Sequence, residues 1–378
     1  MKLDRYQRHS LIDWFSQESL KAARYAIVGC GAVGNEVAKN LALLGVGSIH
    51  LYDFDAIELH NLTRSVLFRE SDVGENKAVV AARRILDLDP TVETTAFPGD
   101  FWGSMRLSDL TQYAAVFCCV DNFEARIKLN QLCRLAGINL VNAGIDSRCA
   151  MVELFPFAER AEAACYECNL PLSSYQRIQE RYSCGWLKRI AHVERKVPTT
   201  IITSSLAGAH AVSAGLRLGT AEAPSRLAHR IYIDSVSGRT TVSELSNNEA
   251  CALCSGIGSN VVIARANAIV TNELHTIAHK DDDTILYASD PVVTTVHCTR
   301  CAVNPDESGV IFKCASDFDT GLRWCSKCNE DTVEVDITDT FTVGELVGSY
   351  LGKRLPAKFV RFRRDETTYV IELENRHG

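Results

Sequence analysis

The stretch that most constrains this chain is YAIVGCGAVGNEVAKNLALLGVGSIHLYDFD, residues 25–55. It reads as a short apolar strand, a glycine turn, a helix and a second strand. Gly29, Gly31 and Gly34 form G-x-G-x-x-G at the junction of strand and helix. That pattern opens a parallel sheet. The glycines let the main chain approach a phosphate closely, and the helix N-terminus favours an anion there. Asp53 closes the second strand, 19 residues beyond Gly34, where a carboxylate accepts hydrogen bonds from ribose hydroxyls. Taken alone, the motif is compatible with NAD, FAD or ATP.

The alternation of strand and helix continues. ENKAVVAARRILDLDP is an amphipathic helix stopped by Pro90, and AAVFCCVDN is a buried strand. EARIKLNQLCRLAG is a helix ended by Gly137, and INLVNAGI is a further strand. The fold class is α/β, a Rossmann-like doubly wound, mostly parallel sheet. MVELFPF reads as another strand, and residues 169–198 as an irregular crossover segment. PTTIITSSLAGAHAVSAGLRLG is a helix with a small-residue face, and RIYIDSVSGRTTVSEL is two strands about a Ser-Gly turn. A helix is expected near residues 261–278, within a first domain spanning 1–285. Residues 286–330 read as a zinc ribbon, and 331–378 as a small α+β unit of strand, short helix, strand, strand.

The chain has 378 residues, 46% hydrophobic and 23% charged, enough for two or three domains. A net charge of −7 argues against nucleic acid or an anionic membrane as partner. The basic run VRFRR at 360–364 reads as a solvated strand face. No stretch reaches the ~18 apolar residues of a membrane span. The opening MKLDRYQRHSLIDWF is too polar for a signal peptide. A soluble, cytoplasmic chain is expected.

Eight of the 15 cysteines fall into four Cys-x-x-Cys pairs. In a cytosolic chain that spacing favours zinc over disulfides. Cys165 and Cys168 with Cys251 and Cys254 supply four thiolates, enough for a closed structural site, although spacing alone leaves open whether the pairs meet. Cys298 and Cys301 with Cys325 and Cys328 have 23 residues between the pairs and fit a second structural zinc. Cys314 and His297 are the substitute ligands available there.

The charged residues after the glycine turn choose among nucleotides. Asp55 follows Asp53, and Asn61, Arg64 and Lys77 come soon after. Asp121 and Asn122 end a sheet strand, and Arg8 is a further cation near the N-terminus. A dinucleotide needs little cationic help beyond the turn. A triphosphate with a departing pyrophosphate needs Arg and Lys to spread charge and a carboxylate to hold Mg2+. The set fits ATP.

These segments also carry a resemblance. RYQRH, VGCGAVG, DFDAIELHNLTR, VGENK and VDN, followed by CYEC and CALC, are similar in order and spacing to the ThiF/MoeB and ubiquitin-activating-enzyme superfamily over roughly residues 4–254. NLTRSVLFRESDVGENKA is especially similar to the ubiquitin-type members, with Ser65 where they have Gln. The resemblance implies Mg-ATP-dependent adenylation of the C-terminal glycine carboxylate of a ubiquitin-like protein. It implies ribose binding by Asp53, phosphate contacts from Asn61, Arg64 and Lys77, and magnesium on Asp121. It implies Arg8 as an arginine finger supplied across a homodimer, and one zinc shared by the first two cysteine pairs.

Some members then move the carrier onto a cysteine. Cys184, in RYSCGWLK, resembles that transfer cysteine in position. Its basic neighbours Arg177, Arg181, Lys188, Arg189 and His192 favour the thiolate. The C-terminal unit weakly resembles the ubiquitin-fold tail that recruits a conjugating enzyme. The reading is therefore an activating enzyme for a ubiquitin-like protein. The alternative is an adenylyltransferase for a sulfur-carrier protein or a peptide C-terminus, without an enzyme thioester. Arg64, Lys77 and Asp121 speak against an NAD-dependent oxidoreductase, and the intact charged set against a non-catalytic scaffold.

Overall fold

The computed structural model describes residues 5–14, 16–171, 198–218, 227–266, 281–301, 312–317, 324–325, 327–350 and 353–373. The chain divides into two compact units, one of residues up to 170 with 196–255, the other including everything from 256 onward.

In the first unit, α1 (Gln17–Ala22) leads into β1 (Arg24–Val28), α2 (Ala32–Leu44) and β2 (Ser48–Tyr52). Then come α3 (Lys77–Leu88), β3 (Glu93–Phe97), the short turns α4 (Phe101–Ser104) and α5 (Leu107–Leu110), and β4 (Ala115–Cys118). The unit continues with α6 (Phe123–Ala136), β5 (Leu140–Ile145), β6 (Cys149–Phe155), α7 (Ile201–Arg217), β7 (His229–Asp234) and β8 (Thr240–Glu244). The strands form one sheet in the order β3-β2-β1-β4-β5-β6-β7-β8. β3 through β5 in that order run parallel, and β6, β7 and β8 are antiparallel additions. The chain winds outward from β1 to β3, then crosses back to β4 on the other side of β1. That reversal leaves a crevice at the carboxyl ends of β1 and β4, where α/β proteins bind ligands.

Around β1 and β4 both sheet faces are apolar, as a doubly covered parallel sheet requires. Ile27, Leu51, Phe117, Val141 and Val152 join Val37, Leu41, Ile85 and Ala211 of α2, α3 and α7 in one buried cluster. The alternate residues Ala26, Val28, Val116 and Cys118 are equally buried and belong to the opposite face. The small-residue face of α7 has a specific use. A Cβ on Gly208 would lie 2.4 Å from Glu36 Cβ on α2, and one on Gly215 would lie 2.7 Å from the Phe117 ring.

In the second unit, β9 (Asn260–Ala266) precedes β10 (Ile285–Cys298), β11 (Lys313–Cys314), β12 (Trp324–Cys325), β13 (Glu330–Asp331) and β14 (Val333–Thr342). α8 (Val343–Ser349), β15 (Phe359–Arg364) and β16 (Thr367–Leu373) follow. The main sheet runs β11-β10-β15-β16-β9, with β14 on β10, and β12 pairs with β13. Leu286, Phe341, Leu346, Val360, Phe362 and Ile371 form its core. The strand, helix, strand, strand order expected near the C-terminus is β14-α8-β15-β16. One expectation is corrected: the segment read as a helix from residue 261 starts as β9, paired in parallel with β16. Its β-branched run NVVI suits a strand, and a partner more than a hundred residues away decided it. β3 was not anticipated, because ETTAF is polar enough to pass for a loop. It lies at the sheet edge, where among the described residues only β2 pairs with it.

Gly208→Ala should destabilise the chain by about 1–3 kcal/mol through overpacking between α2 and α7. A lowered urea midpoint with an unchanged m-value is the expected result.

Candidate functional site

The cradle at the carboxyl end of β1 is built by what glycine lacks. Gly29 has φ +90°, and a Cβ there would sit 2.7 Å from the Cys119 carbonyl oxygen. A Cβ on Gly34, one turn into α2, would lie 1.9 Å from the Gly29 carbonyl oxygen. Gly31 differs: nothing stands within 4 Å of its Cβ position. This opening faces the N-terminus of α2, whose first amides are available to an anion. Asn35, fully buried, staples the turn, because its Nδ2 donates to the Cys30 (2.7 Å) and Gly31 (3.1 Å) carbonyls and its Oδ1 accepts from Leu67 N (2.9 Å).

Asp53 lies just past β2. Its Oδ2 accepts from Cys30 N at 2.6 Å and its Oδ1 from Asp55 N at 2.8 Å. Burial pushes its carboxyl pKa up, opposed by the Asp55 amide bond and the Lys77 charge. Asp55 makes an ion pair with Lys77 at 2.6 Å and also accepts from the Lys77 amide. Asn76 caps α3 and donates to the Asp53 carbonyl at 2.9 Å. Asp53, Asp55 and Lys77 therefore form one cluster beside the cradle. Asn61 holds its own turn through Glu58 N, and Arg64 donates to the His60 carbonyl at 3.0 Å. Asn122 caps α6 by accepting from Ala125 N. Asp121 is exposed, with Asn122 Nδ2 at 3.4 Å from its Oδ1. An open carboxylate of this kind is chemically able to hold a hard cation such as magnesium.

Arg8 is not brought to this cluster within its own chain. Tyr6 packs against Gly45 and hydrogen-bonds Asp89, and Gln17 Nε2 donates to the Leu44 carbonyl. These anchors lie at the far ends of α2 and α3. The cradle is at the opposite end of α2, about 20 Å away by the rise of a helix. Cys184 and its basic neighbours lie outside the described residues. The thiols of Cys30, Cys118, Cys119 and Cys133 are all pushed up by burial, which keeps them protonated and inert.

The cysteine pairs meet. Cys165, Cys168, Cys251 and Cys254 bring their sulfurs within 4.8 Å of one another, as do Cys298, Cys301, Cys325 and Cys328. Cys165–Cys251, Cys165–Cys168 and Cys168–Cys254 stand at 3.7, 3.8 and 3.7 Å. Cys298–Cys328 stands at 3.7 Å. Zinc–sulfur bonds of about 2.3 Å in a tetrahedron put the sulfurs about 3.8 Å apart. A disulfide would need about 2.05 Å. Both clusters fit a four-thiolate zinc with no open position. The substitute ligands fall away: Cys314 Sγ bonds Ser316 Oγ, and His297 pairs with Glu334 and Asp336. The first cluster is tied to α6, where Asn130 accepts from Tyr166 N and donates to Glu167 between the ligands.

Two residues of this arrangement escaped the sequence reading. Asn76 carried a signal, as an Asn immediately before a periodic helix. Asn35 carried none beyond being polar on a largely buried helix.

The fold and this constellation define an α/β protein with a glycine-turn cradle at the switch point of its sheet and two four-cysteine clusters. The chain belongs to the ThiF family, whose model matches residues 4–280. It is 35% identical over 175 residues to a sulfur carrier protein adenylyltransferase of Thermus thermophilus, covering 45% of this chain and 65% of that protein. It is 32% identical over 208 residues to ubiquitin-like modifier-activating enzyme 5 of Oryza sativa subsp. japonica, covering 52% and 48%. A crystal structure of E. coli MccB with ATP superposes with a TM-score of 0.54 at 27% identity, over 67% of this chain and 75% of that one. The chain thus spans less than two thirds of the length of these curated relatives. Among the described residues, no helix is long and apolar enough to cross a membrane.

Two measurements follow from this geometry. Asp53→Asn should weaken ATP binding by about 10- to 100-fold in calorimetry, the worth of a charged hydrogen bond. The wild-type affinity should fall as pH drops through the raised Asp53 pKa, starting at a higher pH than an exposed Asp would give, because only the ionised carboxylate accepts on both oxygens. Elemental analysis should find two zinc ions per chain, one for each cluster. Cys165→Ser and Cys298→Ser should each lose one and lower the thermal midpoint.

Proposed function

We propose that this chain activates a ubiquitin-like protein by adenylating its C-terminal glycine carboxylate with Mg-ATP. The observation that carries the reading is the open space at Gly31, at the N-terminus of α2, flanked by Asp53 and Lys77. ATP would lay its ribose on Asp53 and its phosphates along the α2 amides, with Asn61, Arg64 and Lys77 as further contacts. Asp121 and Asn122 would stand where the accompanying magnesium is held. The Asp55–Lys77 pair leaves Lys77 half committed, so an arriving phosphate exchanges one anionic partner for another.

No side chain need act as nucleophile in the first step. A carboxylate oxygen of the carrier attacks the α-phosphorus, and the bond from that phosphorus to the bridging oxygen breaks. Pyrophosphate leaves with the electron pair, and Arg64 and Lys77 stabilise its charge. Arg8 would serve the active site of a second copy in a homodimer, and its anchoring away from its own cradle supports that role.

In the second step the Cys184 thiolate would attack the adenylate carbonyl, forming a thioester and releasing AMP. Residues 331–378 would then recruit a conjugating enzyme, in a cytoplasmic pathway. The second reading ends at the adenylate, with the carrier handed to sulfur chemistry or a peptide C-terminus as substrate. Its specific support is the similarity to the Thermus protein, which is named for a sulfur carrier.

The deciding experiment uses full-length protein, Mg-ATP and a ubiquitin-like protein ending in glycine. Carrier-dependent ATP–pyrophosphate exchange is the expected result, lowered by about 100-fold or more in Lys77→Ala. A thiol-sensitive adduct on non-reducing gels, absent in Cys184→Ala while exchange persists, supports the thioester. Exchange without any adduct selects the second reading, and no exchange with any such carrier or with free peptides overturns both.

A further inference from the structure

We infer that Arg126 is a positioning residue for the Asp121 loop, held in place by a buried polar row that crosses three strands. The strand registers put Asn142 of β5 beside Glu153 of β6, and Glu153 beside Arg230 of β7. Their sequence neighbours Val141, Ala143, Val152 and Ile231 belong to the apolar cluster under α7. The row therefore projects from the other face, the one α6 covers. Asn142 and Glu153 are each only 1% exposed.

The connections run in one line. Glu153 Oε1 accepts from Arg230 Nε at 2.9 Å and Nη2 at 2.6 Å. Glu153 Oε2 accepts from Asn142 Nδ2 at 2.6 Å. Asn142 Oδ1 accepts from Arg126 Nη1, which also donates to the Ala143 carbonyl at 2.9 Å. Arg126 Nη2 donates to the Val120 carbonyl. That carbonyl belongs to the peptide unit that leads into Asp121.

The physical case is one of cost and aim. A buried ionic row is weak evidence for stability, since well-packed apolar side chains often serve as well or better. What it supplies is a fixed direction. The last β4–β5 pair is Cys118 with Asn142, so Val120 lies beyond the ladder. The guanidinium extends the ladder's grip by two residues, joining the segment past β4 to Asn142 and Ala143 of β5 with one planar fork. Lysine offers a point charge and cannot span both. With the fork in place, the Asp121 carboxylate is held at a set position relative to Gly29, against which the preceding Cys119 carbonyl packs. The inference rests on the reading above, in which Asp121 serves the magnesium of Mg-ATP.

The test compares full-length wild type, Arg126→Lys and the isosteric Glu153→Gln. Each should keep a cooperative thermal transition. Hydrogen exchange at the amides of residues 119–122 should speed up in both variants. The Mg2+ concentration needed for half-maximal ATP binding in calorimetry, with no carrier present, should rise by about 10- to 100-fold in Arg126→Lys, the usual effect of removing an outer partner of a metal-binding group. Glu153→Gln should shift it in the same direction by less. Arg126→Lys with wild-type exchange at 119–122 and wild-type Mg2+ dependence overturns the inference. Wild-type protein that binds no Mg-ATP overturns the adenylation reading itself, while the amide exchange still decides whether Arg126 holds the loop.

Discussion

The contact on which the first unit depends is between two main-chain segments, the α carbon of Gly34 and the carbonyl of Gly29. No side chain fits between them. Because α2 can begin this close to β1, its amides end at the carboxyl edge of the sheet. Every other element of the candidate site is then delivered to that edge by topology. β2 ends one residue before Asp53, α3 begins at Lys77, and the turn after β4 carries Asp121. A bulkier turn would push α2 outward and separate the amides from the carboxylate that hydrogen-bonds Cys30 N.

The two thiolate clusters solve a different problem. Cys165 and Cys251 are far apart in sequence, with α7, β7 and β8 between them, and ordinary packing of small knuckles would close that loop weakly. Four thiolates on one zinc ion would close it with strong, directional bonds. The C-terminal unit has a modest core around Phe341 and Val360, and at that size a metal staple commonly supplements apolar burial. In the first unit the cluster also bears on the site, since α6 is tied at one turn to the knuckle through Asn130 and at another to the Asp121 loop through Arg126.

Three polar side chains of the first unit, one buried and two half-buried, hold main chain outside the ladder. Asn35 serves the glycine turn, Asn76 the loop after β2, and Arg126 the loop after β4. Each reaches a carbonyl that no strand neighbour satisfies. This common task explains why polar side chains are tolerated on helices that otherwise pack apolar faces against the sheet.

Local chemistry made much of this legible in the sequence. The apolar runs at β1, β4 and β5, the periodicity of α3 and α6, and the glycine at the end of α6 each declare their element through interactions within a few residues. The glycine spacing and the Cys-x-x-Cys pairs are local for the same reason. What remained hidden depended on partners distant in the chain. β9 is a strand because β16 lies beside it, and β3 because β2 offers an edge. That the first two cysteine pairs share one site could be written from spacing only as an open question, and sulfurs 3.7 Å apart answer it. The row from Arg230 to Arg126 is invisible in sequence because its members come from β7, β6, β5 and α6. The sequence by itself determined the locally declared elements and the ligand types, through steric and periodic rules that act over a turn or a strand. Only the tertiary structure decided which of them meet, because pairing register and sheet order are set by the packing of the whole unit.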